Sequence, residues 1–206
     1  MSQFFQVHPE NPQARLIRQA TDIIRNGGVI VYPTDCGYSL GCHIGDKSAL
    51  DRIRQIRRLD DKHNFTLVCK DLSEISTYAR FDNHLYRLLK HHTPGPFTFI
   101  FGATSDVPRR LLHPKRKTIG IRIPENKIVQ ALLDELGEPI MSSSLILPNE
   151  TMPMMDPYDI RDTLQHQVDL VIDGGYCGME PTTVIKMDSE DMSVLRQGAG
   201  DASAFI

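Results

Sequence analysis

Residues 29–42 read VIVYPTDCGYSLGC. Val29, Ile30, Val31 and Tyr32 are β-branched or aromatic and spell a buried strand, which the pattern predicts to stop on Pro33. Thr34 and Asp35 then form a polar turn, and a second extended run from Tyr38 to Cys42 returns beside the first. A buried strand that hands over to hydroxyl and carboxyl groups sets them at the rim of an apolar wall, where a ligand can meet them. An ordinary hairpin with a solvated turn has the same pattern, because Thr and Asp are common turn residues.

Upstream, Asn11 and Pro12 suit the start of a helix whose apolar positions Ala14, Ile17, Ala20 and Ile24 recur at three and four and end at Gly27 and Gly28. Downstream, Asp46 can cap a helix with the stripe Ala49, Leu50, Ile53 and Ile56, leaving Arg52, Arg54, Arg57 and Arg58 off it. Strands follow at 65–69, 97–102, 118–124, 139–147, 168–173, 183–187 and 192–197, with helices near 73–79, 83–92, 126–136 and 157–166. Arg122 lies between Ile121 and Ile123, so it either points to the opposite face or is a buried charge that needs a partner. Residues 148–157, PNETMPMMDP, carry three prolines and three methionines and suit a mobile flap. Strands alternate with helices early and crowd together late, which predicts a single α/β domain, a twisted mixed sheet with helices packed on it.

The chain has 206 residues, enough for one sizeable core. Its net charge of −3 argues against a surface that attracts nucleic acid everywhere, though not against a local basic patch. The four cysteines form no CxxC pair and no zinc-ligand cluster, which predicts reduced thiols, no protein-bound metal and a cytoplasmic setting. No secretory leader or membrane-length apolar run is present. Walker, GxGxxG, GxSxG and HExxH motifs are missing too, so no catalytic side chain can be named. What remains are hydroxyls and guanidinium groups at strand ends, a set suited to gripping an anion more than to covalent catalysis. Two basic runs, 52–63 and 109–117, could line one positive concavity.

YPTDCGYSLGC, TPGPFT, TIGIRIP, PTTVI and VLRQGAG, in this order and spacing, resemble the YrdC/YciO family over about residues 14–197, which leaves 198–206 as a C-terminal tail. The resemblance implies the YrdC-like, dsRNA-binding-type α/β twist with a concave positive face. It also implies substrates: ATP, with Mg²⁺ arriving on it, threonine and bicarbonate, combined into threonylcarbamoyl-adenylate and pyrophosphate for tRNA modification. Thr34, Arg57, Thr118, Arg122, Ser142, Ser144, Thr183 and Arg196 would line the pocket. Within it Arg122 would pair with the amino-acid carboxylate or carbamate, Thr34 and Thr183 would orient the amino acid, and Arg196 would help hold the phosphates.

Two segments depart from the family pattern. Where synthases carry Lys-x-Arg-Pro this chain has Arg57, Arg58, Leu59 and Asp60, and where they carry Ser-x-Asn it has Ser144, Leu145 and Ile146. The sequence therefore suggests a nucleotide- or RNA-binding paralogue of the synthase with weak or altered activity. A second reading is a non-catalytic protein binding double-stranded RNA, tRNA or rRNA through Arg58, Lys62, Arg110 and Lys115. A third is a hydrolase acting on a related acyl-adenylate.

Overall fold

The computed structural model describes residues 1–60, 62–188 and 190–206. In chain order the elements are β1 (Gln3–Gln6), α1 (Ala14–Arg25), β2 (Ile30–Thr34), β3 (Gly37–His43), α2 (Lys47–Arg57), β4 (Thr66–Val68), α3 (Leu72–Tyr78), α4 (Asn83–His92), β5 (Phe97–Gly102), β6 (Thr118–Arg122), α5 (Lys127–Leu136), β7 (Ile140–Ser144), α6 (Pro157–Leu164), β8 (Leu170–Asp173), β9 (Thr183–Lys186) and β10 (Ser193–Arg196). Helix starts follow local chemistry. The side chains of Asp46, Asp71, Asp82, Asn126 and Asp156 each accept a backbone N–H at the helix that follows. Gly137 ends α5 with a positive φ of 73°, a conformation glycine adopts without a Cβ penalty.

All strands join one mixed sheet in the order β1-β8-β2-β3-β7-β4-β6-β5-β9-β10. Alternation along each strand divides its side chains between two apolar layers. On one face Val31, Leu40, Met141, Leu67, Ile121, Phe99 and Ile185 pack with α2, α3, α4 and α6. On the other, Ile30, Tyr32, Ile140, Val68, Leu170 and Ile172 pack under α1 and α5. The two helices α1 and α5 cover only the part of their face from β8 to β4. Beyond β4 the strands β6, β5, β9 and β10 lie outside this second layer.

Three expectations change. β2 does not stop at Pro33; it runs to Thr34, with Pro33 opposite Tyr38 on β3. Proline is tolerated there because β2 pairs with β8 only at Ile30 and Val31, so no partner on that side asks Pro33 for an N–H. The sheet also begins before residue 14, since Gln3–Gln6 runs parallel to Leu170–Asp173 as an edge strand. Two phenylalanines between polar glutamines carry too little alternation to read as a strand. Finally, residues 198–206 are more than a tail: Phe205 is buried, with its ring 5.7 Å from that of Phe97 and 5.9 Å from that of Phe99. Replacing Phe205 with Ala is expected to cost about 3 kcal/mol in urea denaturation, the lower end for emptying a buried aromatic site. A loss below about 1 kcal/mol would show that the C-terminus contributes no core.

Candidate functional site

The uncovered part of the α1/α5 face forms a hollow of about 270 Å³. Its floor follows from the alternation just described. Phe97, Phe99 and Phe101 point into the opposite layer, which turns Thr98 and Ile100 into the hollow; Ile119 and Ile121 do the same for Gly120, and Ile185 for Val184. Thr66 and Thr182 complete the floor, Ser143, Ser144 and Ile146 form one wall, and Arg57 and Arg196 stand at opposite ends of the row of strands. A methyl group at Gly120 would lie 3.0 Å from Thr66 Oγ1, so glycine keeps this floor open.

Each guanidinium is fixed by neutral acceptors. Arg57, at the last turn of α2, donates from Nε to the Ile146 carbonyl at 3.0 Å and from Nη1 to Ser143 Oγ. Arg196 donates to the Thr182 carbonyl from Nε at 3.1 Å and from Nη2 at 2.8 Å, while Thr182 Oγ1 lies 2.8 Å from Thr98 Oγ1. Among the described residues no carboxylate lines the hollow. His63 lines it as well, with Nε2 at 3.4 Å from Ser143 Oγ. Burial, then the charges of Arg57 and Arg54, push its pKa down to about 4, so the ring is neutral near pH 7.

Beside the hollow, the turn between β2 and β3 is closed by its own side chain. Thr34 Oγ1 donates to the Gly37 carbonyl at 2.7 Å and accepts the Cys36 N–H at 3.0 Å. Asp35 meets Arg122 Nη2 with one carboxylate oxygen and accepts the Glu125 N–H with the other at 2.9 Å. This ion pair is buried, with the Arg122 side chain 6% and the Asp35 side chain 13% exposed. Arg122 thus meets both conditions its sequence position allowed: it faces away from Ile121, and it has a partner. Its Nε is buried without a hydrogen-bond partner.

Of the residues expected at the pocket, the structure brings Arg57, Ser144 and Arg196 to the hollow's lining. Arg122 shares the face of Gly120 two residues further along β6 but is not among the residues that line the hollow. Thr118, half-buried, lies at the other end of the same strand, opposite Gly102. Ser142 is held beneath, taking the Tyr32 hydroxyl at 2.6 Å and donating to the Leu40 carbonyl at 3.1 Å. Thr183 shares the face of Ile185, away from the hollow, where its hydroxyl donates to the Gly200 carbonyl and accepts the Gly198 N–H at 3.0 Å. Its neighbour Thr182 takes the place in the hollow, a shift of one residue that changes face. The signal was present, because Ile185 two positions on marks Thr183 as inward. Thr66, Thr98 and His63 also went unread as pocket residues; the phenylalanines flanking Thr98 carried the same kind of signal.

The residues expected to meet RNA lie elsewhere. Arg58, Lys62, Arg110 and Lys115 are all exposed and none lines the hollow. Arg58 is the left-handed cap of α2 and Arg110 donates to the Gly45 carbonyl. Leu59 packs against the first apolar layer, whereas Ile146 lines the hollow. Among the described residues no helix is long and apolar enough to cross a membrane, and no three His, Cys, Asp or Glu side chains gather to hold a metal ion.

Residues 22–198 match the family model Sua5/YciO/YrdC, described as telomere recombination. A Haemophilus influenzae protein is 62% identical over 207 residues, covering both chains in full. YciO of Escherichia coli is 58% identical over 206 residues, again covering both. Its crystal structure superposes with a TM-score of 0.97 over all of both chains. The crystal structure of P. abyssi Sua5 complexed with L-threonine, 23% identical, shares the fold with a TM-score of 0.86 over 95% of this chain and 57% of that one.

Two outcomes follow from this geometry. Asp35→Ala strands a buried guanidinium and is expected to cost about 3–5 kcal/mol in chemical denaturation, while Asp35→Ala combined with Arg122→Met restores most of it. Equal losses in the two variants would show that the charge pair is not what holds the turn. For His63 the folded-state pKa lies below the unfolded value of about 6.5, so the unfolded chain binds the extra proton and stability falls as pH drops from about 6.5 towards 4. Comparing pH–stability curves of the wild type and His63→Gln checks this; the variant is expected to be flatter in that window.

Proposed function

The chain belongs to the Sua5/YciO/YrdC family, and on that premise we propose that its hollow binds ATP and a small amino acid of the threonine kind. The reaction it supports is condensation of threonine, bicarbonate and ATP into threonylcarbamoyl-adenylate with release of pyrophosphate, at a rate below that of a dedicated synthase. One observation carries the reading: two guanidinium groups, Arg57 and Arg196, face a hydroxyl-lined hollow with no carboxylate among its described lining residues. Transfer of an adenylyl group needs positioning and charge neutralisation more than a nucleophilic side chain, and this lining offers those and little else. The threonine-bound form of the archaeal Sua5 is consistent with the same substrate class.

In this reading Arg196 holds nucleotide phosphates, Mg²⁺ arrives on those phosphates, and Thr98, Thr182 and Ser144 hydrogen-bond the substrates. Arg122, on the same face of β6 as Gly120, is the guanidinium this reading assigns to the amino-acid carboxylate or carbamate, and Thr34 and Thr183 act indirectly by closing the turn and the C-terminal loop. Weak chemistry follows from two positions. Ile146 puts an apolar side chain in the wall where the family pattern has an amide, and Leu59 is packed into the core where the pattern has an arginine. A hydrogen bond to a charged group contributes about 1.5–3 kcal/mol. If that contribution is confined to the transition state, each missing group costs one to two orders of magnitude in rate. The reading keeps the protein in the cytoplasm, where ATP is at hand and its four buried thiols stay reduced.

Calorimetry with ATP and continuous detection of pyrophosphate test the proposal. ATP is expected to bind at millimolar concentration, and pyrophosphate release to be slow and dependent on both threonine and bicarbonate. Ile146→Asn is expected to raise that rate about ten-fold and Arg196→Ala to weaken ATP binding by a similar factor. An absence of ATP binding would overturn the reading.

A further inference from the structure

We propose that His63 is a proton-coupled phosphate ligand: its ring takes a proton from solvent as a polyphosphate enters the substrate hollow, and so supplies a second cation beside Arg57. The inference rests on the nucleotide reading above and adds a residue and a proton which that reading leaves out. Where the family pattern has an arginine two residues after the position of Arg57, this chain has Leu59, packed against the first apolar layer. His63 follows in the same loop and lines the hollow together with Arg57.

The two side chains converge on one atom. Arg57 Nη1 donates to Ser143 Oγ, and His63 Nε2 lies 3.4 Å from the same oxygen. That second distance exceeds the usual range of a hydrogen bond, so Nε2 is not committed to the serine. The ring is placed by packing instead. Its plane stands at 77° to that of buried Phe65, with the centroids 5.2 Å apart, and the His63 N–H donates to the Asp60 carbonyl at 3.3 Å. Arg57 Nη2 has no hydrogen-bond partner among the described residues. A phosphate at the Ser143 wall can therefore meet the guanidinium with one oxygen and Nε2 with another.

The surroundings of the ring set the direction of the coupling. Burial opposes its protonation most, Arg57 and Arg54 on α2 oppose it further, and Asp60 in the following loop favours it. Ser143, on β7, is neutral. The balance leaves the ring uncharged near pH 7 while the hollow holds no anion. A polyphosphate against Arg57 reverses that balance, because an opposite charge within about 4–6 Å favours the protonated ring. The imidazolium N–H then makes a charge-assisted bond to a phosphate oxygen, stronger than any the neutral ring offers. Affinity for the polyphosphate therefore grows as pH falls through the midpoint of the occupied site, by at most about ten-fold per pH unit for one proton taken up.

Histidine ring NMR, with the His63 signal identified by its loss in His63→Gln, tests this with inorganic tripolyphosphate and ATP as separate ligands. At about pH 5.5 the His63 ring is expected to be neutral in the free protein and protonated with saturating tripolyphosphate. His84, exposed on α4 across the sheet, is expected not to move. Calorimetry should show wild-type affinity for tripolyphosphate gaining about five-fold over that of His63→Gln between about pH 7 and about pH 5, the ligand's own titration cancelling in the ratio. Bound ligand with an unmoved His63 signal, or parallel pH dependence in the two proteins, would overturn the histidine's role and leave the nucleotide reading standing. Protonation of His63 by tripolyphosphate with no binding of ATP would instead remove the nucleotide reading and keep the phosphate ligand. Binding of neither would remove both.

Discussion

Arg122 leaves β6 on a face that α1 and α5 shield only in part, and its charge is nevertheless almost fully removed from water. A buried guanidinium persists only with an acid against it, and Asp35 meets that need from the turn between β2 and β3. In the sheet β2 and β6 are separated by β3, β7 and β4, so the pair reaches across strand ends that no backbone ladder connects directly. The second oxygen of Asp35 takes the Glu125 N–H just ahead of α5. One carboxylate thereby fixes the hairpin, the end of β6 and the entry to α5 at a single point.

The hollow exists because the second apolar layer stops short. α1 and α5 bring enough buried surface to cover β8 to β4, and no helix follows to cover β5, β6 and β9 on that side. The sequence there accepts this: Thr98, Thr182 and Gly120, with Thr66 at the start of β4, are small or hydroxylated where helix-covered positions are Ile, Leu, Val or Tyr. Arg57 closes one end by bonding the strand that α2 would otherwise only lean against, and Arg196 closes the other.

The sheet and helices were legible because their signals are local. Caps at Asp46 and Asn126, the stop at Gly137 and the alternation in FTFIFG each act within a few residues. Most of the site was not, since a face can be assigned only once the covering layer is known. Thr182 and Thr183 differ by one position, and only Ile185's place in the first layer tells them apart. Asp35 was legible as a turn residue but not as the partner of Arg122, 87 residues away in sequence. β1 escaped because the partners that place Phe4 in one layer and Phe5 in the other, β8 and α6 among them, lie far along the chain.

That dependence of β1 on β8 orders events during synthesis. Gln3–Gln6 is made well before the edge it pairs with, Leu170–Asp173. The opening residues must therefore wait unpaired while the central strands assemble, and the sheet is completed from its middle outwards. A nascent chain halted before β8 would carry a formed hairpin and a loose beginning.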